Sequence, residues 1–144
     1  MQKALKAKLE KMTRDQLMEL IEELCRTPDT QKLVNTIVAP KKTDVDRLVQ
    51  KLAERCEIFM CNSCNANDYG RMEQALIPII SVYRFADMKT SAYITWKTYL
   101  AFYENDFEDY YDLIGDMLSN LGSNLERYPE TFTEAERIQY TGIL

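Results

Sequence analysis

The sequence predicts an all-α protein: a helical bundle of about six helices preceded by an N-terminal helical segment. Three observations lead there. Gly and Pro number only four each among 144 residues, too few turn formers for a many-stranded sheet. Apolar residues recur at spacings of three and four along most of the chain, the period of an amphipathic helix. A Thr followed three residues later by Gln or Glu, the pattern of a capping box, opens two of those stretches. Hydrophobic residues make up 46%, enough for a core in a chain of single-domain length and well above a disordered composition.

The elements follow in order. Residues 2–12 alternate Lys with Ala and Leu, and Leu5, Leu9 and Met12 form a thin apolar stripe on a helical arm. Thr13 and Gln16 fit a capping box, and the helix behind them carries Leu17, Leu20, Ile21 and Leu24 on one face. Thr27-Pro28 marks a further start, with Pro at the first helical position. That short helix presents Leu33, Val34, Ile37 and Val38 and ends before Pro40. Thr43 is expected to cap the next helix, whose inward face is Val45, Leu48, Val49, Leu52, Cys56 and Phe59. Asp44 and Asp46 lie in its first turn, where the helix dipole favours negative charge.

Residues 61–68 (CNSCNAND) read as a loop. A helix over 69–85 follows, with Met72, Ala75, Leu76, Ile79, Ile80 and Tyr83 inward and a kink expected at Pro78, which lacks a backbone donor. Two aromatic-rich helices are predicted over 91–103 and 105–125. A loop around Pro129 and a final short helix capped by Thr133 and Glu136 complete the chain. Residues 1–40 thus form a basic arm with candidate dimerisation helices, and residues 41–144 form the bundle.

The net charge of −5 is unevenly distributed. Residues 1–55 hold 12 Lys/Arg against 9 Asp/Glu, whereas residues 56–144 hold 6 against 14. The acidic half argues against nucleic-acid binding, which needs a concentrated basic face to neutralise phosphates. The opening MQKALKAKLEKM has no apolar run of the secretory type, and no stretch approaches the ~20 apolar residues of a membrane span. The expected location is therefore nuclear or cytoplasmic, with the four cysteines as reduced thiols.

The sequence contains no histidine. This removes the commonest general base and a common metal ligand. No glycine-rich phosphate loop is present either. A non-enzymatic protein with no cofactor is expected. Cys56, Cys61 and Cys64 follow the spacing C-x4-C-x2-C and are the candidate metal ligands, since closely spaced thiolates hold zinc or iron–sulfur clusters. The alternative is a core Cys56 with two loop thiols, which would be open to oxidation if exposed. Asp109, Asp112 and Asp116 share one helix side and read as a solvated face or, less economically, a calcium site without the usual loop spacing. Tyr93, Tyr99, Tyr103, Tyr110, Tyr111 and Trp96 are divided between core and a ligand groove or membrane-surface belt.

Lys3, Lys6, Lys8 and Lys11 form the candidate partner-binding arm. Leu17, Leu20, Ile21 and Leu24 either bury into the bundle or pair with the same helix of a second copy, giving a homodimer.

The succession TRDQLMELIEEL, TPDTQKLVNTIVAP, TDVDRLVQKLAERCEIF and NDYGRMEQALIPIISVY resembles the Cut8/Sts1 family of proteasome-tethering factors over about residues 13–85. The family shows a similar Asp-Tyr and nearby Arg opening a long apolar helix, here Asp68, Tyr69 and Arg71. The Cys-rich loop and the dense Tyr/acidic segment lie outside that resemblance. It implies a dimer whose lysine-bearing N-terminal segment engages the proteasome and whose helical bundle contacts the nuclear membrane. Two other readings stay open: a helical adaptor for an unrelated protein, such as a pathogen factor gripping a host protein, and a cysteine-based metal or redox protein.

Overall fold

The computed structural model describes residues 1–144 and is all-α: eight α-helices and one 3-10 turn, with no strand. The chain divides into two compact units, Met1–Thr36 and Ile37–Leu144.

The first unit holds α1 (Lys3–Glu10), α2 (Arg14–Leu24) and most of α3 (Pro28–Val38). The capping box of α2 is present in full. The Thr13 hydroxyl accepts the Gln16 N–H at 3.2 Å, and the Gln16 side-chain oxygen accepts the Thr13 N–H at 3.0 Å. Two backbone donors that a helix start leaves free are thereby satisfied. α3 starts at Pro28, where a missing N–H removes no bond. No residue of these three helices is buried.

The second unit holds α4 (Lys42–Cys61), α5 (Ala66–Phe85), α6 (Met88–Tyr103), α7 (Tyr110–Arg127), a 3-10 turn (Pro129–Thr131) and α8 (Glu134–Thr141). α4 packs along α5 and α6, α7 lies against α6, and α8 closes on α7. Of the predicted stripe of α4, Leu48 is half-buried and the rest form the buried face: Val45, Val49, Leu52, Cys56 and Phe59. They meet Met72, Leu76 and Ile79 of α5, Ile94 and Phe102 of α6, and Ile114, Met117 and Leu118 of α7 in one core. A smaller cluster of Ala92, Leu121, Phe132 and Tyr140 seats α8, whose Thr133–Glu136 capping box is also complete. Thr95 and Thr98 are buried in α6 but donate to the carbonyls of Ser91 and Ile94, at 2.8 and 2.7 Å. No buried side-chain polar atom lacks a partner, as a low-dielectric core requires.

Several boundaries differ from the sequence expectation. Thr43 does not cap α4. The helix starts earlier, at Lys42, and the Asp44 carboxylate accepts the Lys41 N–H at 3.0 Å. The 61–68 loop is shorter than expected, because α4 runs through Cys61 and Asn65 already caps α5. The end of α5 at Phe85 is as expected, and the helix runs on through Pro78 with Leu76 and Ile79 packed in the core on either side. Asp87, whose side chain accepts the Thr90 N–H at 2.8 Å, starts α6 at Met88 rather than near 91. α7 begins at Tyr110, not 105, behind a turn in which Asp106 takes φ 56°. Within α7 the helical backbone breaks at Ile114, with φ −126° and ψ 17°.

Candidate functional site

The lysine arm is an exposed surface. Lys3, Lys6 and Lys8 stand on α1, and Lys11 is its C-cap. Only Lys6 has a carboxylate within reach, Glu10 at 3.9 Å on the same helix. An exposed pair one turn apart contributes a few tenths of a kcal/mol, so the arm's charge stays available to a partner.

The four candidate dimerisation residues lie on one side of α2. Leu17 and Leu20 are half-buried, while Ile21 and Leu24 are exposed, at 42% and 53%. Met18, on the same helix, and Leu33, on α3, are exposed as well. These helices are amphipathic, yet their apolar faces bury nothing completely within the unit.

Asp68, Tyr69 and Arg71 sit in the first turns of α5 and act on the fold. Asp68 is buried, unusual for a carboxylate, and it holds the preceding loop together. Its Oδ2 accepts the Asn65 amide at 2.6 Å and the Asn62 amide at 3.2 Å. Its backbone N–H donates to Asn65 Oδ1 at 2.9 Å, which is the N-cap bond of the helix. The Arg71 guanidinium lies 3.6 Å from the other carboxylate oxygen. The Asn65 and Asn62 amides, with smaller contributions from Arg71 and Arg55, hold the Asp68 carboxyl below the usual range. The Tyr69 ring meets Phe59 edge-on at 5.5 Å. Between the two asparagines, Ser63 and Cys64 take φ of 59° and 54°, a left-handed conformation, as the Cys64 N–H donates to the Phe59 carbonyl at 3.1 Å.

The cysteines do not converge. Cys56 lies in the core, and burial pushes its thiol up to about 11. Cys61 and Cys64 are exposed, and Cys25 is half-buried in the other unit. No three Cys, Asp or Glu side chains are placed to hold one metal ion, so the C-x4-C-x2-C spacing does not become a three-thiolate site. The reason is geometric: Cys56 faces inward from α4, while Cys61, the last residue of that helix, and Cys64, in the turn after it, are exposed. The same holds for the calcium reading of Asp109, Asp112 and Asp116, all exposed along the start and outer side of α7.

No family model, curated protein or solved structure matches this chain.

The aromatic residues divide between roles. Tyr93 is half-buried and donates to Asp46 Oδ1 at 2.7 Å. Burial and that carboxylate push its phenol up to about 12. Tyr99 stacks on Tyr103 at 5.5 Å and meets Tyr110 edge-on at 5.2 Å. A small cleft that sequence reasoning missed, about 180 Å³, brings Lys42 of α4, Lys89 and Tyr93 of α6, and Glu136 and Tyr140 of α8 together. Only the fold reveals it, since its lining comes from three separated stretches. Glu136, engaged by the Thr133 N–H, is held below the usual range by that bond and by Lys89 and Lys42.

Proposed function

We propose that this protein is a non-enzymatic tether or adaptor of the Cut8/Sts1 type, in which residues 1–36 form a dimerisation and partner-binding segment. One observation carries the reading: a unit of three amphipathic helices buries no residue completely while exposing Met18, Ile21, Leu24 and Leu33. A unit this short rarely supports a core alone, and an exposed apolar face of this kind is the usual mark of a protein interface. The occupant proposed for the α2 face is the same face of a second copy, because a two-fold pairing of one amphipathic helix is self-complementary. The unpaired lysines of α1 then remain free to engage proteasome subunits or to carry ubiquitin. No helix is long and apolar enough to cross a membrane, so contact with the nuclear envelope is proposed at its surface, through exposed aromatic rings.

Two experiments test the two halves of this reading. Sedimentation of the intact protein should give a dimer, and Leu20→Asp should give a folded monomer; a monomeric wild type, or a dimer untouched by the substitution, removes the dimer. Affinity capture from nuclear extract should recover proteasome subunits with the whole chain and lose them when residues 1–12 are deleted. Absence of proteasome with the whole chain rejects the tether and favours an adaptor for an unrelated protein partner.

A further inference from the structure

The acidic and tyrosine-rich stretches, separate features in the sequence, meet in one cleft at the C-terminal end of α6. The cleft measures about 350 Å³ and is lined by Tyr99, Tyr103, Asp106, Phe107, Glu108 and Tyr110. Phe107 is buried beneath it and anchors the turn to the core, with its ring 5.2 Å from Phe102 and 5.9 Å from Phe59. Tyr103 is 61% exposed and stacks on Tyr99, so an open aromatic surface stands beside two carboxylates.

We propose that this cleft binds the guanidinium of an arginine-bearing peptide segment, with the tyrosine rings as its stacking wall and Asp106 and Glu108 as its counter-charges. Aromatic faces beside unpaired carboxylates set that chemistry. Aromatic faces carry negative potential and attract cations lying over them. Neither Asp106 nor Glu108 has an ion-pair partner within the chain, and no lysine or arginine lies over Tyr99, Tyr103 or Tyr110. α6 ends here with no basic residue in its last turn, so no cation of that helix neutralises the two carboxylates. A planar guanidinium suits the site better than an ammonium, since it stacks on a ring and forks onto a carboxylate together. The proposal does not depend on the tether reading, because it uses none of residues 1–36.

Titration calorimetry of the full chain tests it, with short capped peptides alternating Arg, Lys or Glu with Gly. The Arg peptide should bind, the Lys peptide less tightly, and the Glu peptide not at all, with affinity falling between low and physiological salt. Tyr103→Ala and the pair Asp106→Asn with Glu108→Gln should each weaken Arg-peptide binding about tenfold or more. Both leave a folded protein by circular dichroism, since these side chains are exposed. The pair Glu57→Gln with Glu73→Gln removes the same charge from exposed positions outside the cleft lining and should change affinity less than about twofold. No binding of the Arg peptide, or an equal loss in the Glu57/Glu73 variant, or full binding in Tyr103→Ala, overturns the proposal.

Discussion

The ring of Phe107 meets the ring of Phe59 edge-on, with centroids 5.9 Å apart. Through this contact a residue in the turn between α6 and α7 is held by the inward face of α4. Phe107 is 5% exposed, although Asp106 and Glu108 on either side of it are exposed. Phe107 is thus the one buried side chain of the turn, beside the Asn105 amide that donates to the Ala101 carbonyl at 2.8 Å. Phe107→Ala should lower unfolding free energy by about 3–5 kcal/mol, the usual cost of deleting a buried aromatic ring. Tyr103→Ala, on the exposed side, loses only its stacking on Tyr99 and should cost about 1 kcal/mol or less. Urea unfolding of the two variants beside wild type measures both.

Asp68 contributes to the acid limb of stability. Its folded-state carboxyl lies below the usual range because the Asn65 and Asn62 amides bond the charged form. The unfolded chain then takes up the proton first, so this contribution is full above about pH 4 and is lost as pH falls through the folded value. Asp87 and Glu136 are shifted the same way by the backbone N–H groups of Thr90 and Thr133. Asp68→Asn removes the charge and faces the two amides with a further donor. It should lower the melting midpoint at pH 7 and flatten its fall towards pH 3. An acid limb as steep as wild type would place the proton uptake elsewhere.

The alkaline limb belongs to groups shifted the other way. Tyr93 is raised from 10 to about 12 and Cys56 from 9 to about 11. A group whose folded value is raised contributes fully below its unfolded value and loses that contribution as pH rises through the folded one. Stability should therefore decline from about pH 9 upward. Tyr93→Phe should remove part of that decline, which unfolding midpoints measured between pH 8 and 11 would reveal.

Thiol reactivity should follow burial. Cys61 and Cys64 are exposed, and Cys56 is fully buried with a raised thiol. Since the thiolate is the reactive form, brief alkylation of the native protein at pH 7.5 should label Cys61 and Cys64 and spare Cys56, which should react only after unfolding. Peptide mass spectrometry reads the order. Early labelling of Cys56 would mean that α4 opens locally.

Local signals in the sequence carried much of the fold. The Thr13–Gln16 and Thr133–Glu136 boxes start α2 and α8 as their spacing predicts, because a capping box acts within four residues. The stripe from Val45 to Phe59 is the buried face of α4 because helical periodicity already states which side faces the core. The boundaries that failed are single Asn and Asp caps, with no capping box to mark them. Asn65 and Asp68 begin α5 inside what reads as a loop, and Asp87 starts α6 ahead of its apolar pattern.

By itself the sequence determined the helical class, the amphipathic faces and the division of charge between the two halves. These follow from spacing and composition alone. Only the tertiary structure decided which residues meet. It kept Cys56, Cys61 and Cys64 from a common site and buried Asp68 as a lock rather than a surface motif. It also joined Tyr99 and Tyr103 of α6 to Tyr110 of α7 in one acidic cleft. The reason is that helical period reports the direction of a side chain around its own axis, whereas the convergence of side chains from different helices depends on how those helices pack.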